Sequence, residues 1–209
     1  MNLYPLGRYG SWLACKFFGS MEIIGRKNIP AKGGAMLCGN HVSYFDPPAM
    51  GGGASRPVHF MAKIELFQAP VFGWFMSHIE AFPVKRGTAD RAALKTAIEY
   101  LKAGEVVGMF PEGQRTLDGK LKEAEAGVGM IALKAQVPVI PVGIVNTEKL
   151  LPPHAAFPKF NHIKVVFGEP VKLDDLYGQN GREVVEEVGR RIMAAIGELL
   201  EKHRDSASA

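Results

Sequence analysis

Cysteine is scarce in this chain: Cys15 and Cys38 are the two among 209 residues. They make no CxxC pair and each stands in an apolar run, so they read as buried thiols of a reducing compartment rather than a disulfide framework. Long hydrophobic runs are missing as well. Leu3 to Ile24 is rich in apolar residues but is broken by Arg8, Lys16 and Glu22. No span reaches the roughly 18 uninterrupted apolar residues expected of a membrane-crossing helix. No basic stretch precedes that segment and no well-placed small-residue cleavage site follows, which argues against a signal peptide. Charge of one sign is not in large excess either: 25 Lys and Arg against 21 Asp and Glu leave a formal +4. The cations are scattered, with no helix-turn-helix, zinc-finger or aromatic-interleaved basic pattern, so nucleic acid is not an expected partner. An anionic membrane surface or a phosphorylated small substrate suits scattered charge.

Several nucleotide and hydrolase signatures also fail. Five residues separate Gly113 from Gly119 where a phosphate loop needs four, and Leu121 stands where a Ser or Thr should bind magnesium. Gly127-Val128-Gly129 lacks the third glycine of a dinucleotide fingerprint, and no GxSxG elbow supplies a serine nucleophile. One His with an Asp five positions on is too few ligands for a metal site, so no metal is expected.

What is present fits one domain: 47% hydrophobic and 22% charged residues are globular proportions, and no repeat or linker divides the chain. Short apolar runs ending near Cys38, Ala62, Val84, Phe110, Val145 and Phe167 read as strands. Amphipathic stretches from Thr88 (as N-cap) to Lys102, Gly127 to Ala135 and Glu183 to Lys202 read as helices, the last with Asn180 and Glu183 as a capping box. Gly51-Gly52-Gly53 should stop a short helix begun at Pro47. The expectation is a single-domain α/β fold, a mixed central sheet flanked by helices, with an N-terminal amphipathic helix. Residues 1–20 form that helix, 21–204 the main domain and 205–209 a disordered tail. The first helix either packs plainly on the domain or lies at an interface, where Tyr9, Trp12, Leu13, Lys16, Phe17 and Phe18 meet lipid. The apolar residues Phe67, Val71, Phe72, Trp74, Phe75 and Met76 suit either core or the lining of a groove for a long apolar ligand.

Chemistry concentrates in three turns after strands, at Asn40 to Asp46, Lys85 to Gly87 and Glu112 to Thr116. An imidazole near its pKa can take a proton from a hydroxyl, and a carboxylate beside it fixes its tautomer. On one helix, five positions would turn His41 and Asp46 about 140° apart. A strand ending near Gly39, a turn, and a helix starting at Asp46-Pro47 would let them converge. Capping that helix explains Asp46 equally well. Arg86 beside Gly87 and Arg115 near Gly113 offer guanidinium and backbone to an anion, although surface ion pairs would explain each alone.

Four blocks in order resemble the glycerolipid acyltransferase family that includes bacterial 1-acylglycerol-3-phosphate acyltransferases. Asn40-His41 through Asp46 resembles NHxxxxD, and Phe82 to Gly87 resembles the second block, with its arginine at Arg86. Phe110 to Thr116 resembles FPEGTRS, with Gln114 and Thr116 as departures, and Val137 to Val142 resembles the proline-containing fourth block. The resemblance implies that His41, oriented by Asp46, deprotonates the 2-hydroxyl of lysophosphatidate, which attacks an acyl thioester of coenzyme A or acyl carrier protein. No cofactor is implied beyond that co-substrate. Arg86, Glu112, Gly113 and Arg115 would hold the phosphate and polar head, with Lys63 a further candidate. The resemblance places the enzyme at the cytoplasmic face of the cell membrane, peripheral or monotopic. Glycerol 3-phosphate or another lipid acceptor, or a noncatalytic lipid-binding module, are the alternatives.

Overall fold

The run Ala35–Gly39 is apolar at every position and buried at every position, which is what a strand covered on both faces requires. In the computed structural model, which describes residues 4–68, 81–85, 90–116, 118–152, 155 and 157–204, this strand (β2) is the fourth of seven. The others are β1 (Glu22–Ile24), β3 (Val58–Lys63), β4 (Ala81–Val84), β5 (Val106–Met109), β6 (Val139–Val145) and β7 (Lys164–Phe167). The order across the sheet is β1-β7-β6-β2-β5-β3-β4.

Strands β2 to β6 all run parallel, Leu37 lying opposite Gly108 on one side and Ile140 on the other. β7 turns back antiparallel to β6, and β1 runs parallel to β7, so the sheet is mixed as expected. The short β1 was not foreseen; its three residues carry no readable period. The parallel block has one consequence for function: the turns that leave β2, β3, β4, β5 and β6 all emerge at the same edge of the sheet.

Alternation along the strands separates two apolar layers. Met36, Cys38, Val107 and Met109 face α4 (Arg91–Lys102), α5 (Ala126–Ala135) and α7 (Arg182–His203), packing with Leu101, Ile131 and Ile192. Ala35, Leu37, Val106 and Ile140 face the other way, onto Cys15 of α1 (Tyr4–Gly19) and Met50 of α2 (Asp46–Gly53). Two further short helices, α3 (Ile64–Gln68) and α6 (Thr147–Leu150), follow β3 and β6.

Three expected element ends move. Gly51-Gly52-Gly53 lies inside α2 rather than after it, because α1 crosses there so closely that a Cβ on Gly52 would stand 3.0 Å from the backbone of Trp12. Helix α4 is capped by Asp90, whose carboxylate accepts the N–H groups of Ala92 and Ala93; Thr88 lies outside the described residues. Helix α7 is entered through Gly181 at φ +124°, a conformation glycine alone adopts readily, and no side-chain capping bond forms there; the Asn180–Glu183 box is not made.

Helix α1 packs on the domain by one side and leaves an apolar side bare. Cys15 is buried and Trp12 packs against α2, while Leu6, Tyr9, Leu13 and Phe17 point outward and are exposed. Phe160, also exposed, sets its ring against Phe17 and Phe18 and extends the same apolar surface. Among the described residues no helix is long and apolar enough to cross a membrane.

Candidate active site

At the end of β2 the backbone leaves the sheet, and the Asn40 side chain takes over the pairing with β6. Its amide nitrogen donates to the carbonyl of Ile144 at 2.9 Å and its oxygen accepts the N–H of Ile144 at 2.8 Å. A side chain that imitates a strand residue holds the next turn in fixed register.

That turn winds around one carboxylate oxygen. Asp46 Oδ2 accepts the backbone N–H groups of Val42 and Ser43, each at 2.7 Å, and lies 2.8 Å from His41 Nδ1. The chain passes from strand through turn to helix between the two residues, so they converge although one helix face could not have joined them. Asp46 is the first residue of α2, but its carboxylate points back into the turn, and no side-chain capping bond is made to the helix. Asp46 is fully buried and His41 is 7% exposed. An ionised carboxylate can only accept, so the proton between them belongs to Nδ1, and the neutral form of that imidazole carries its lone pair on Nε2. Phe110 stacks on the imidazole at 4.1 Å between centroids, closing one face of the ring. Burial, with the Asp46 carboxylate as a second cause, pushes the Cys15 thiol up to about 12, so it stays protonated beside the pair.

The loop after β5 grips His41 by its backbone. Glu112 Oε1 accepts the His41 N–H at 3.0 Å and Oε2 accepts the Lys122 N–H at 3.1 Å, while the Thr116 N–H donates to the His41 carbonyl at 2.8 Å. Burial raises the Glu112 carboxyl above its ordinary value, with those two N–H donors opposing the shift. Gly113 turns the loop at φ +68°, a left-handed position that favours glycine. Arg115 is half-buried, its guanidinium carbon 3.5 Å above the Tyr44 ring.

His41, Lys63, Gly113 and Arg115 border one groove of about 1450 Å³. Its apolar lining includes Phe60, Met61, Met109, Val128 and Ile131, and α1 closes part of its wall with Tyr4, Gly7, Arg8 and Ser11. Lys63, at the end of β3, forms an exposed ion pair with Glu65 at 3.3 Å. Glu112 lies beneath the groove rather than in it, both oxygens occupied by backbone. Arg86 lies outside the described residues, as do five of the six apolar residues singled out as core or groove lining; the sixth, Phe67, falls in α3. The sequence reading missed the groove floor, because Phe60, Met61 and Met109 look like ordinary strand residues. It also missed Thr147, whose hydroxyl donates to Asp46 Oδ1 from 101 positions away.

A buried imidazole held by a carboxylate, opening on an apolar-lined groove with cations at its rim, is suited to moving a proton at the head of a long-chain substrate. Residues 20–145 match the model of the Acyltransferase family. The chain is 31% identical over 186 residues to the 1-acyl-sn-glycerol-3-phosphate acyltransferase of Bacillus subtilis (strain 168), covering 88% of this chain and 90% of that protein. It is 30% identical over 180 residues to a chloroplastic enzyme of the same name, BAT2, from Brassica napus, of which it spans 50%. The crystal structure of the 1-acyl-sn-glycerophosphate (LPA) acyltransferase PlsC from Thermotoga maritima superposes with a TM-score of 0.77 at 29% identity, covering 98% of this chain and 81% of that one. Fold and matches together define an acyl-transferring α/β enzyme. The chain belongs to the acyltransferase family.

Proposed function

We propose that this enzyme moves a fatty acyl group from an acyl thioester of coenzyme A or acyl carrier protein to the 2-hydroxyl of lysophosphatidate, giving phosphatidate. The names of the related enzymes support the substrate class. The observation that carries the mechanism is the 2.8 Å contact of Nδ1 of His41, which borders the groove, with buried Asp46 behind it.

In this reading Nε2 of His41 takes the proton of the 2-hydroxyl as its oxygen attacks the thioester carbonyl. Asp46 holds the imidazolium that forms. The tetrahedral intermediate then collapses, the C–S bond breaks, and the leaving sulfur takes the proton from Nε2 to depart as a free thiol. A positioned general base contributes about 10²- to 10⁴-fold, and the remainder rests on holding acceptor and thioester together. Arg115 and Lys63 hold the phosphate at the rim, and Arg86 is given the same role by its motif alone. Glu112 and Gly113 shape the loop that presents Arg115 and steadies the backbone of His41. The thioester is the sole co-substrate, and the reaction uses no cofactor.

The exposed face of α1, extended by Phe160, rests on the cytoplasmic face of the cell membrane as a peripheral or monotopic attachment. Serine at Leu6, Leu13 and Phe17 together should sharply reduce flotation with anionic liposomes, and undiminished flotation would remove the idea.

The deciding experiment offers purified protein one acyl-CoA and a panel of acceptors. Lysophosphatidate should be acylated well above glycerol 3-phosphate and neutral lysolipids, and His41→Ala should lose nearly all turnover while remaining folded. A preference for another acceptor would reject the substrate, and a fully active His41→Ala would reject the base.

A further inference from the structure

We infer that Thr147 is a positioning residue for the reaction, the side chain that fixes the Asp46 carboxylate in the orientation His41 needs. The inference rests on His41 acting as the base.

The two oxygens of Asp46 have different surroundings. Oδ2 is committed to the turn, taking the N–H groups of Val42 and Ser43 and facing His41 Nδ1. Oδ1 accepts the hydroxyl of Thr147 at 2.5 Å. Asp46 and Thr147 are both fully buried, so water cannot stand in for the hydroxyl without rearrangement. A carboxylate anchored through one oxygen alone is free to rock about that contact; anchored through both, it has one orientation.

The backbone around Thr147 is built to deliver it. Asn146, the residue after β6, is in the left-handed region at φ 67°, which few residue types other than glycine tolerate and asparagine does. The bend is clamped on both sides: the Asn146 side chain donates to the carbonyl of His162 at 3.2 Å, and the Asn161 side chain donates to the carbonyl of Asn146 at 3.2 Å. Two residues before the bend, Ile144 is paired with the Asn40 side chain. The end of β6 thus grips the catalytic turn twice, through Asn40 before His41 and through Asp46 after it. A threonine needed only to start the four-residue helix α6 would not have to reach Asp46.

Among the described residues, the titratable groups near the imidazole are Asp46 from α2, Glu112 beneath its backbone and the Cys15 thiol from α1, with Tyr44, Arg115, Lys63 and Arg8 bordering the same groove. Removing the Thr147 hydroxyl takes one donor from Asp46 and leaves its remaining charge more fully available to the imidazolium. Thr147→Val, close in shape, should lower kcat about tenfold with little change in either KM. The acid limb of kcat/KM should move to higher pH by about half a unit, and the titration of the His41 imidazole followed by NMR should move with it. Thr147→Ser should restore both. Should the valine protein fail to fold, Thr147→Cys, whose thiol is a weaker donor, is read in the same way.

An unchanged His41 titration in a folded variant overturns the proposal whatever turnover does. An altered titration with unchanged kcat overturns the positioning role. A fully active His41→Ala alongside an altered Thr147→Val titration sinks instead the reading of His41 as base.

Discussion

The Glu112 side chain holds His41 by its backbone rather than by its imidazole: one carboxylate oxygen takes the His41 N–H at 3.0 Å, and the other takes the N–H of Lys122. The family-type PEG motif therefore holds the backbone of His41 from below. Glu112→Gln keeps one acceptor and turns an N–H donor toward a second donor, so either the buried His41 N–H or the part-buried Lys122 N–H loses its partner, at about 1–3 kcal/mol. The variant should unfold at lower urea concentration and should lose kcat more than it raises the acceptor KM. A rise in acceptor KM alone would mean that Glu112 touches substrate instead.

The same carboxyl sets a pH dependence of stability. Its value is raised on folding, so between the ordinary glutamate value of 4.5 and the higher folded value the folded state binds more protons. Its contribution is full below 4.5 and is lost as pH rises through the folded value. In urea titrations the margin of the native protein over Glu112→Gln should be largest at the acid end of that window and narrow as pH rises through it, toward the gap left by the lost acceptor. A gap that widens with rising pH would contradict the sign.

Two helical glycines should respond in opposite directions. A Cβ on Gly52 would press within 3.0 Å of Trp12 backbone, which cannot move without lifting α1, whereas a Cβ on Gly10 would meet nothing within 4 Å. Gly52→Val should cost about 1–3 kcal/mol and reduce turnover by opening the groove wall. Gly10→Ala should stabilise by about 0.5–1 kcal/mol through the backbone alone. Thermal unfolding of the two variants checks both, and equal shifts would show that the α1–α2 crossing does not depend on the absent side chain.

Arg115 lies 3.5 Å above Tyr44, and Tyr44 is exposed, so the ring's contact with the guanidinium is the visible constraint on its position. Arg115→Ala should raise the acceptor KM by about tenfold or more, the loss of a charge-assisted contact. Tyr44→Phe should be nearly silent, because the face of the ring is kept, and Tyr44→Ala should raise KM a few-fold. An acceptor KM indifferent to Arg115 would remove it from the phosphate site.

Much of this was legible in the sequence where the signal is local. The run to Gly39, the break at His41 and the proline at position 47 located the strand, the turn and the helix, and with them the meeting of His41 and Asp46. Contacts between distant segments left no such trace. Asn40 pairs with a residue 104 positions on and Asp46 with one 101 positions on, and neither Ile144 nor Thr147 differs locally from an ordinary strand or helix-start residue. Gly51 to Gly53 were misread for a related reason: a glycine run weakens a helix by itself, and only the crossing of α1 shows why three are tolerated. The capping role expected of Asp46 failed because the turn offered its carboxylate nearer donors than the helix did.

Helix α1 has two working sides. Its inner residues Tyr4, Gly7, Arg8 and Ser11 border the groove, and its outer residues Leu6, Tyr9, Leu13 and Phe17 are bare. If the bare side rests on a leaflet, the acceptor has about one helix diameter, roughly 10 Å, to travel from its lipid neighbours to His41. Enzymes so placed sample a substrate in two dimensions. The rate should then follow the mole fraction of lysophosphatidate in the surface, falling when inert lipid is added at constant bulk concentration.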